Sequence, residues 1–263
     1  MRCKNRVVIL TGASQGIGRA TAYALARAGC RLVLAARGAI RLQQLAMELN
    51  AQGYTAIAIP TDMGDTTQAA ALAHKTVAIF GTIDVIINNA GIGVYQAVAE
   101  LDETAARQVM EVNYFGPVAL IQAALPTLMA NPDGGLIINI SSIIGRRAMP
   151  HMAAYCATKA ALERMAESLR LEVKTANVRV STVYPGVTAT EFVHNSLGNI
   201  ARLRPNRRAG VPAEWVAQAI LQTIRYERRD VFITLFDRAF VTFSMIFPYL
   251  ADQILFYYTR IRN

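Results

Sequence analysis

Short β-branched runs alternate with longer amphipathic stretches along nearly the whole chain, and this alternation restricts the fold more than any other feature. Residues 7–10, 31–35, 55–59, 84–88, 136–140, 178–184 and 231–234 read as strands. Between them, residues 17–28, 41–52, 66–80, 104–129, 153–176 and 212–226 carry a helical pattern. Strands that are apolar throughout need cover on both faces, and strands separated by helices pair in parallel. The expectation is an α/β fold, a three-layer doubly wound sandwich with a central parallel sheet of about seven strands. With 263 residues, 53% of them hydrophobic and 17% charged, one large domain with an ample core is expected and disorder is not.

Two motifs on this scaffold carry chemistry. Gly12, Gly16 and Gly18, in the run Thr11-Gly12-Ala13-Ser14-Gln15-Gly16-Ile17-Gly18, follow the first strand and open a helix. Glycines there permit a tight turn and let the backbone approach a pyrophosphate, which the helix N-terminus stabilises. Further on, Tyr155 and Lys159 stand four residues apart, on one face of a helix. A lysine held near a phenol favours the phenolate and lowers a pKa that otherwise sits near ~10. On that reading Tyr155 donates or accepts a proton near neutral pH. Asn88-Asn89-Ala90-Gly91 lies between the two motifs, and Ser141-Ser142 just upstream of the second.

In this order the motifs resemble those of the short-chain dehydrogenase/reductases, the single-domain Rossmann family with T-G-x-x-x-G-x-G, N-N-A-G and Y-x-x-x-K. The resemblance runs from about residue 6 to residue 233. It implies a catalytic set of Asn113 (in Val112-Asn113-Tyr114-Phe115-Gly116), Ser142, Tyr155 and Lys159, the family's spacing selecting Ser142 over Ser141. Hydride would pass between nicotinamide and a carbonyl carbon while Ser142 and Tyr155 donate hydrogen bonds to the carbonyl oxygen and Tyr155 delivers the proton. Lys159 would lower the Tyr155 pKa and hold the ribose hydroxyls, and Asn113 would hold a water leading to solvent. The resemblance also places the cofactor against Ser14, Gln15 and Ile17 of the glycine turn, Asp62 and Met63, Asn89, Ala90 and Gly91, and Pro185, Gly186, Thr188 and Thr190.

The end of the second strand speaks to which dinucleotide is held. An acidic residue there binds the ribose hydroxyls of NAD and repels an added phosphate. This chain has Ala36 followed by Arg37, a side chain suited to a 2′-phosphate, so NADP(H) is expected. Gln15 departs from many NADP-dependent members, which carry a basic residue at that place.

The formal charge is +9, and from Ile200 onward ten Arg stand against five Asp or Glu. The basic residues are not interleaved with aromatics in a stripe, which argues against nucleic acid. Cys3, Cys30 and Cys156 show neither C-x-x-C nor zinc spacing, so no metal and free thiols are expected. Met1 to Arg6 leads straight into a four-residue apolar run, too short for a secretory segment, and a cytoplasmic location follows.

Residues 1–235 are expected to form the dinucleotide-binding catalytic domain, with the irregular, arginine-rich stretch 187–211 as a substrate lid. Residues 236–263 form an apolar tail for which three readings stand: packing on the same domain or a dimer interface, peripheral contact with a membrane, or cover for a long substrate. The resemblance implies a homodimer or homotetramer. By the same analogy Ile92, Val94, His151, Met152 and Phe192 line the substrate pocket. The leading function is NADP(H)-dependent interconversion of a ketone or aldehyde with an alcohol, on a bulky apolar or lipid-like molecule. A 3-oxoacyl thioester reductase is the rival enzyme, and an NADP-binding regulatory protein the rival from another class.

Overall fold

The computed structural model describes residues 1, 3–198 and 210–262, with side chains to residue 257. The strands of its main sheet are β1 (Val7–Thr11), β2 (Arg31–Ala36), β3 (Thr55–Pro60), β4 (Val85–Asn88), β5 (Gly135–Ile140), β6 (Val178–Tyr184) and β7 (Asp230–Phe232). Their order is β7-β6-β5-β4-β1-β2-β3, every pair parallel. The chain winds outward from β1 to β3, then crosses back to lay β4 on the other side of β1. The crevice at that reversal, beyond the carboxyl ends of the strands, is where open α/β sheets bind ligands.

Strand alternation sorts the core into two layers. Val8, Leu10, Leu32 and Leu34 face one side, packed with Leu25 of α1 (Gly16–Arg27), Leu42, Leu45 and Leu49 of α2 (Ala39–Ala51) and Ile220 of the helix Ala213–Tyr226. Ile9, Val33, Ile86 and Ile137 face the other, packed with Leu72 of α3 (Thr66–Phe80) and with the helices described next.

The stretch 104–129, expected as one helix, is interrupted. It comprises α4 (Glu103–Met110), a π-helical turn over Glu111–Phe115, and α5 (Gly116–Ala130). Asp102 caps α4 by accepting from the Thr104 and Ala105 amides. At the start of α5 the chain presses so closely on the loop after β3 that a Cβ on Gly116 would stand 2.0 Å from the Met63 carbonyl oxygen. The wide turn points Asn113 into the interior. A short helix that periodicity did not reveal, α6 (Ile143–Arg146), follows β5 with Ser142 as its N-cap, and α7 (Ala153–Glu172) ends four residues earlier than expected, in a 3₁₀ turn over Lys174–Ala176.

The Ala213–Tyr226 helix is α8. Strand β7 stops at Phe232 rather than residue 234 because Thr234 turns the chain into α9 (Leu235–Ile246): its hydroxyl accepts from the Asp237 amide at 3.0 Å and donates to Asp237 Oδ2 at 2.8 Å. After Phe247 the chain bends by 120° into α10 (Pro248–Arg262). The tail is thus a helical hairpin. Val241, Ser244, Ala251 and Leu255 face inward, and Arg147 pairs with Asp252 to hold α10 to the domain. Phe236, Met245, Ile246, Phe247, Tyr249 and Tyr257 are exposed.

Of the expected lid, residues 199–209 lie outside the described residues, and with them Arg202, Arg204, Arg207 and Arg208. Its nearer part is placed: Leu197–Gly198 pairs with Val94–Tyr95, and Thr188–Ala189 with Val211–Pro212.

Candidate active site

The glycine turn is built for close approach. Gly12 and Gly16 have φ of 64° and 51°, and a Cβ on Gly18 would lie 2.0 Å from the Gly12 carbonyl oxygen. Ser14 and Ile17 lie half-buried in the same turn. Helix α1 begins with no acidic residue in its first turn, and its N-cap Gln15 offers no side-chain bond to the first amides. Gln15 Oε1 instead accepts from Arg41 Nη1 at 3.3 Å. The α1 amides therefore face the crevice without a side-chain cap, the arrangement an anion such as pyrophosphate satisfies.

Thr11 and Asn89 brace this turn from behind. Thr11 Oγ1 accepts from the Asn89 and Ala90 amides, both at 3.0 Å, while Asn89 Nδ2 donates to the carbonyls of Thr11 (2.9 Å) and Gly12 (3.2 Å). Asn88 donates to Asn139 at 2.8 Å, tying β4 to β5. The side chain of Asn89 is therefore spent on the loop itself, which leaves Ala90 and Gly91 to border the crevice.

Other expected contacts divide. Arg37 is exposed just after β2, and Arg41 is exposed in the first turn of α2, where it bonds Gln15. Arg41 was not singled out from the sequence, since its partner Gln15 lies 26 positions earlier. Asp62 is half-buried and accepts from the Gly64 amide at 2.9 Å. Met63 is buried in the core, so its side chain is packing. Pro185 is buried, and its carbonyl accepts from Ser142 Oγ at 3.2 Å. Gly186 faces Asp237, whose Oδ1 would stand 2.3 Å from a Cβ there. The Thr188 hydroxyl donates to the Gly186 carbonyl at 3.2 Å, and Thr190 packs on Gly16, at 3.2 Å from where its Cβ would be. The loop 185–190 thus reaches across to the glycine turn.

The four residues expected to do chemistry come from three elements: the π turn, the N-cap of α6 and α7. Asn113 is fully buried; its Oδ1 accepts from the Ile92 amide at 2.9 Å, and its Nδ2 donates to the Ile92 carbonyl at 2.9 Å and to Thr158 Oγ1 at 3.0 Å. Lys159 is buried on α7, its Nζ donating to the Ile140 carbonyl at 2.8 Å and standing 5.7 Å from the Tyr155 ring centre. Asn113 and Lys159 meet at Gly91, where a Cβ would lie 3.2 Å from Asn113 Oδ1 and 3.5 Å from Lys159 Nζ. Ser142 caps α6, its Oγ accepting from the Ile144 amide at 3.4 Å. Ser141 points elsewhere, donating to the buried Glu163 at 2.9 Å, so geometry separates the two serines as the spacing did.

Burial governs the ionisation of the pair. It pushes the Tyr155 phenol above its ordinary range, and it brings the Lys159 ammonium down to about 8 against the opposing pull of Glu163. The lowering of the Tyr155 pKa expected from Lys159 does not appear in the protein alone, where burial raises the phenol and Cys156 adds to the rise. Tyr155 is a protonated phenol at neutral pH.

Phe192 covers this centre, its ring 5.3 Å from that of Tyr155, and a Cβ on Gly93 would touch the Phe192 ring at 3.1 Å. Ile92 and Val94 are buried, Met152 packs in the same core layer as Tyr155, and His151 lies 5.5 Å from the Tyr95 ring at a φ of 64°. The walls near Tyr155 are largely apolar. The three cysteines are buried free thiols, and no group of metal-ligating side chains occurs among the described residues.

Comparison with known proteins agrees with this geometry. A family model described as short chain dehydrogenase matches residues 6–199. Dehydrogenase/reductase SDR family member 7B of Mus musculus is 36% identical over 239 residues, 88% of this chain and 74% of that protein. A family 7-like protein of Drosophila melanogaster is 35% identical, over 87% of this chain and 72% of its own. Among solved structures, a short chain dehydrogenase/reductase from Burkholderia phymatum in complex with NAD superposes with a TM-score of 0.87 at 25% identity, covering 95% of this chain and 96% of that one. A short chain dehydrogenase from Burkholderia cenocepacia in complex with NADP gives 0.81 at 29% identity, covering 97% and 99%.

Proposed function

The chain belongs to the short-chain dehydrogenase/reductase family, a group of oxidoreductases, and from that premise we propose that it is an NADP(H)-dependent enzyme reducing a ketone or aldehyde to an alcohol. The observation that carries this reading is the meeting of buried Asn113 and Lys159 at Gly91, with the buried Tyr155 phenol one helical turn from Lys159. A dinucleotide held at the Gly12–Gly18 turn would supply hydride for the carbonyl carbon. Tyr155 gives its phenolic proton to the carbonyl oxygen as negative charge builds there, and Ser142 turns its hydroxyl from Pro185 to the same oxygen. Lys159 holds the ribose hydroxyls, and Asn113 keeps α7 in place.

The phosphate-bearing cofactor is favoured by Arg37 and Arg41 and by the lack of an acid at Ala36. Related structures hold NAD in one case and NADP in another, so the preference rests on these side chains. The apolar wall of Ile92, Val94 and Phe192 favours a bulky apolar substrate. Titration with NADPH and NADH, followed by a panel of aliphatic and aromatic ketones, tests the proposal. Absence of NADPH binding, or of turnover across the panel, overturns it.

For location, we propose a cytoplasmic protein that touches a membrane through α9 and α10. Their outer face exposes Phe236, Ile246, Phe247, Tyr249, Ile254 and Tyr257, while Asp237 is buried and Asp252 paired with Arg147. Flotation with phosphatidylserine vesicles checks this; protein that stays in the dense fraction and runs as a dimer or tetramer assigns the face to subunit contact instead.

A further inference from the structure

Glu163 lies one turn beyond Lys159 on α7, in the succession Tyr155, Lys159, Glu163, and is 1% exposed. A carboxylate so deeply buried is costly unless its oxygens are engaged. One oxygen accepts from Ser141 Oγ at 2.9 Å. The other stands 2.6 Å from Arg146 Nε, an ion pair whose N–H is not aligned as a hydrogen bond, and 3.6 Å from Arg164 Nη2. Ser141 precedes Ser142 and Arg146 is the last residue of α6, so the two contacts bracket Ser142. Between them Gly145 fits under the carboxylate, where a Cβ would come within 2.6 Å of Glu163 Oε1 and 3.1 Å of Lys159 Cβ. Arg146 carries the network to the edge of the sheet, through Tyr184 OH (2.6 Å) and from there to Asp230 (3.1 Å).

The single bonds from Ser142 to the Pro185 carbonyl and the Ile144 amide, at 3.2 and 3.4 Å, are long. Glu163 makes shorter contacts to either side of Ser142, 2.9 Å from Ser141 and 2.6 Å from Arg146. We infer that Glu163 is a positioning residue, which grips the segment 141–146 on both sides of Ser142 and fixes it to the helix that carries Tyr155 and Lys159. The inference rests on the proposed reductase reading only for the role of Ser142; the grip itself is a property of the fold.

Two readouts test it, one of them independent of activity. Hydrogen–deuterium exchange on the intact protein follows the peptide 141–147 in wild type and in Glu163→Gln, a change that keeps the volume and an acceptor for Ser141 but removes the charge facing Arg146. Faster exchange confined to 141–147 is expected. Unchanged exchange there overturns the grip, whatever the enzyme does. With turnover in hand, kcat of Glu163→Gln falls roughly 10- to 100-fold while the NADPH Kd stays within about twofold of wild type. In a Ser142→Ala background the same substitution has little further effect, since its action passes through Ser142. Additive losses in that cycle, or a loss confined to Tm, assign Glu163 to stability alone. If Glu163→Gln does not fold, Ser141→Ala and Arg146→Met each release one side of the segment and are read by the same exchange. Failure of wild type to reduce any ketone, with exchange at 141–147 behaving as expected, removes the reductase reading and leaves the grip.

Discussion

Asn113 and Thr158 are joined side chain to side chain, Nδ2 to Oγ1 at 3.0 Å, and the Thr158 hydroxyl donates in turn to the Tyr155 carbonyl at 2.8 Å. The π-helical turn is thereby bonded to α7 between Tyr155 and Lys159. The same amide group satisfies both backbone groups of Ile92. Asn113→Leu, similar in size, strands the Ile92 N–H and C=O in the core, which costs roughly 1–3 kcal/mol for each unsatisfied group. A lower midpoint in urea denaturation is the expected result, together with loss of turnover. A variant as stable as wild type removes Asn113 from the structural account.

Tyr155→Phe keeps the ring and its packing against Phe192 while deleting the proton that the reaction consumes. Turnover should fall by roughly 10²–10⁴-fold, with NADPH binding by fluorescence within about twofold of wild type. Because burial raises the phenol, its ionisation does not set the alkaline limb of the rate. That limb follows Lys159, and activity falls as pH rises through about 8. A rate that stays flat to pH 10 separates Lys159 from the step.

Lys159 also writes itself into stability. Its folded-state pKa of about 8 lies below the ordinary lysine value of 10.5, so between the two the unfolded chain binds a proton that the native state does not. Stability from this group therefore rises as pH climbs from about 8 towards 10.5, and is absent below the folded value. Lys159→Met has no such term. Its Tm relative to wild type should become less favourable between pH 7 and pH 10; parallel Tm curves for the two proteins refute the depressed pKa.

Cofactor selection is predicted to sit on two arginines rather than one. Arg37→Asp replaces a partner for the 2′-phosphate with a repelling charge and should weaken NADPH by roughly 10–100-fold relative to NADH. Arg41→Ala removes the group that now bonds Gln15 and should weaken NADPH by about 3–10-fold. Titration of each variant with both cofactors gives the ratio, and equal losses for NADPH and NADH exclude a 2′-phosphate role.

Much of this molecule was legible in residue order. Seven apolar runs became seven strands, because a parallel sheet covered on both faces demands continuous apolar sequence. The glycine turn was legible because positive φ and close backbone approach admit almost no other residue. Tyr155 and Lys159 were legible because helical spacing alone places them on one face. The sequence likewise determined that Ala36 and Arg37, not an acid, stand at the end of β2.

Tertiary structure decided what depends on contacts distant along the chain. The π turn at Asn113 follows from the approach of Gly116 to Met63, 53 positions earlier, which no local pattern records. Spacing placed Lys159 beside Tyr155 but could not report the burial that raises the phenol. Arg41 at Gln15 and Glu163 between Ser141 and Arg146 became visible only once separate elements met. Periodicity reports which face of an element is apolar. Burial depth and the partners of buried polar groups are fixed by what the rest of the chain packs against that face.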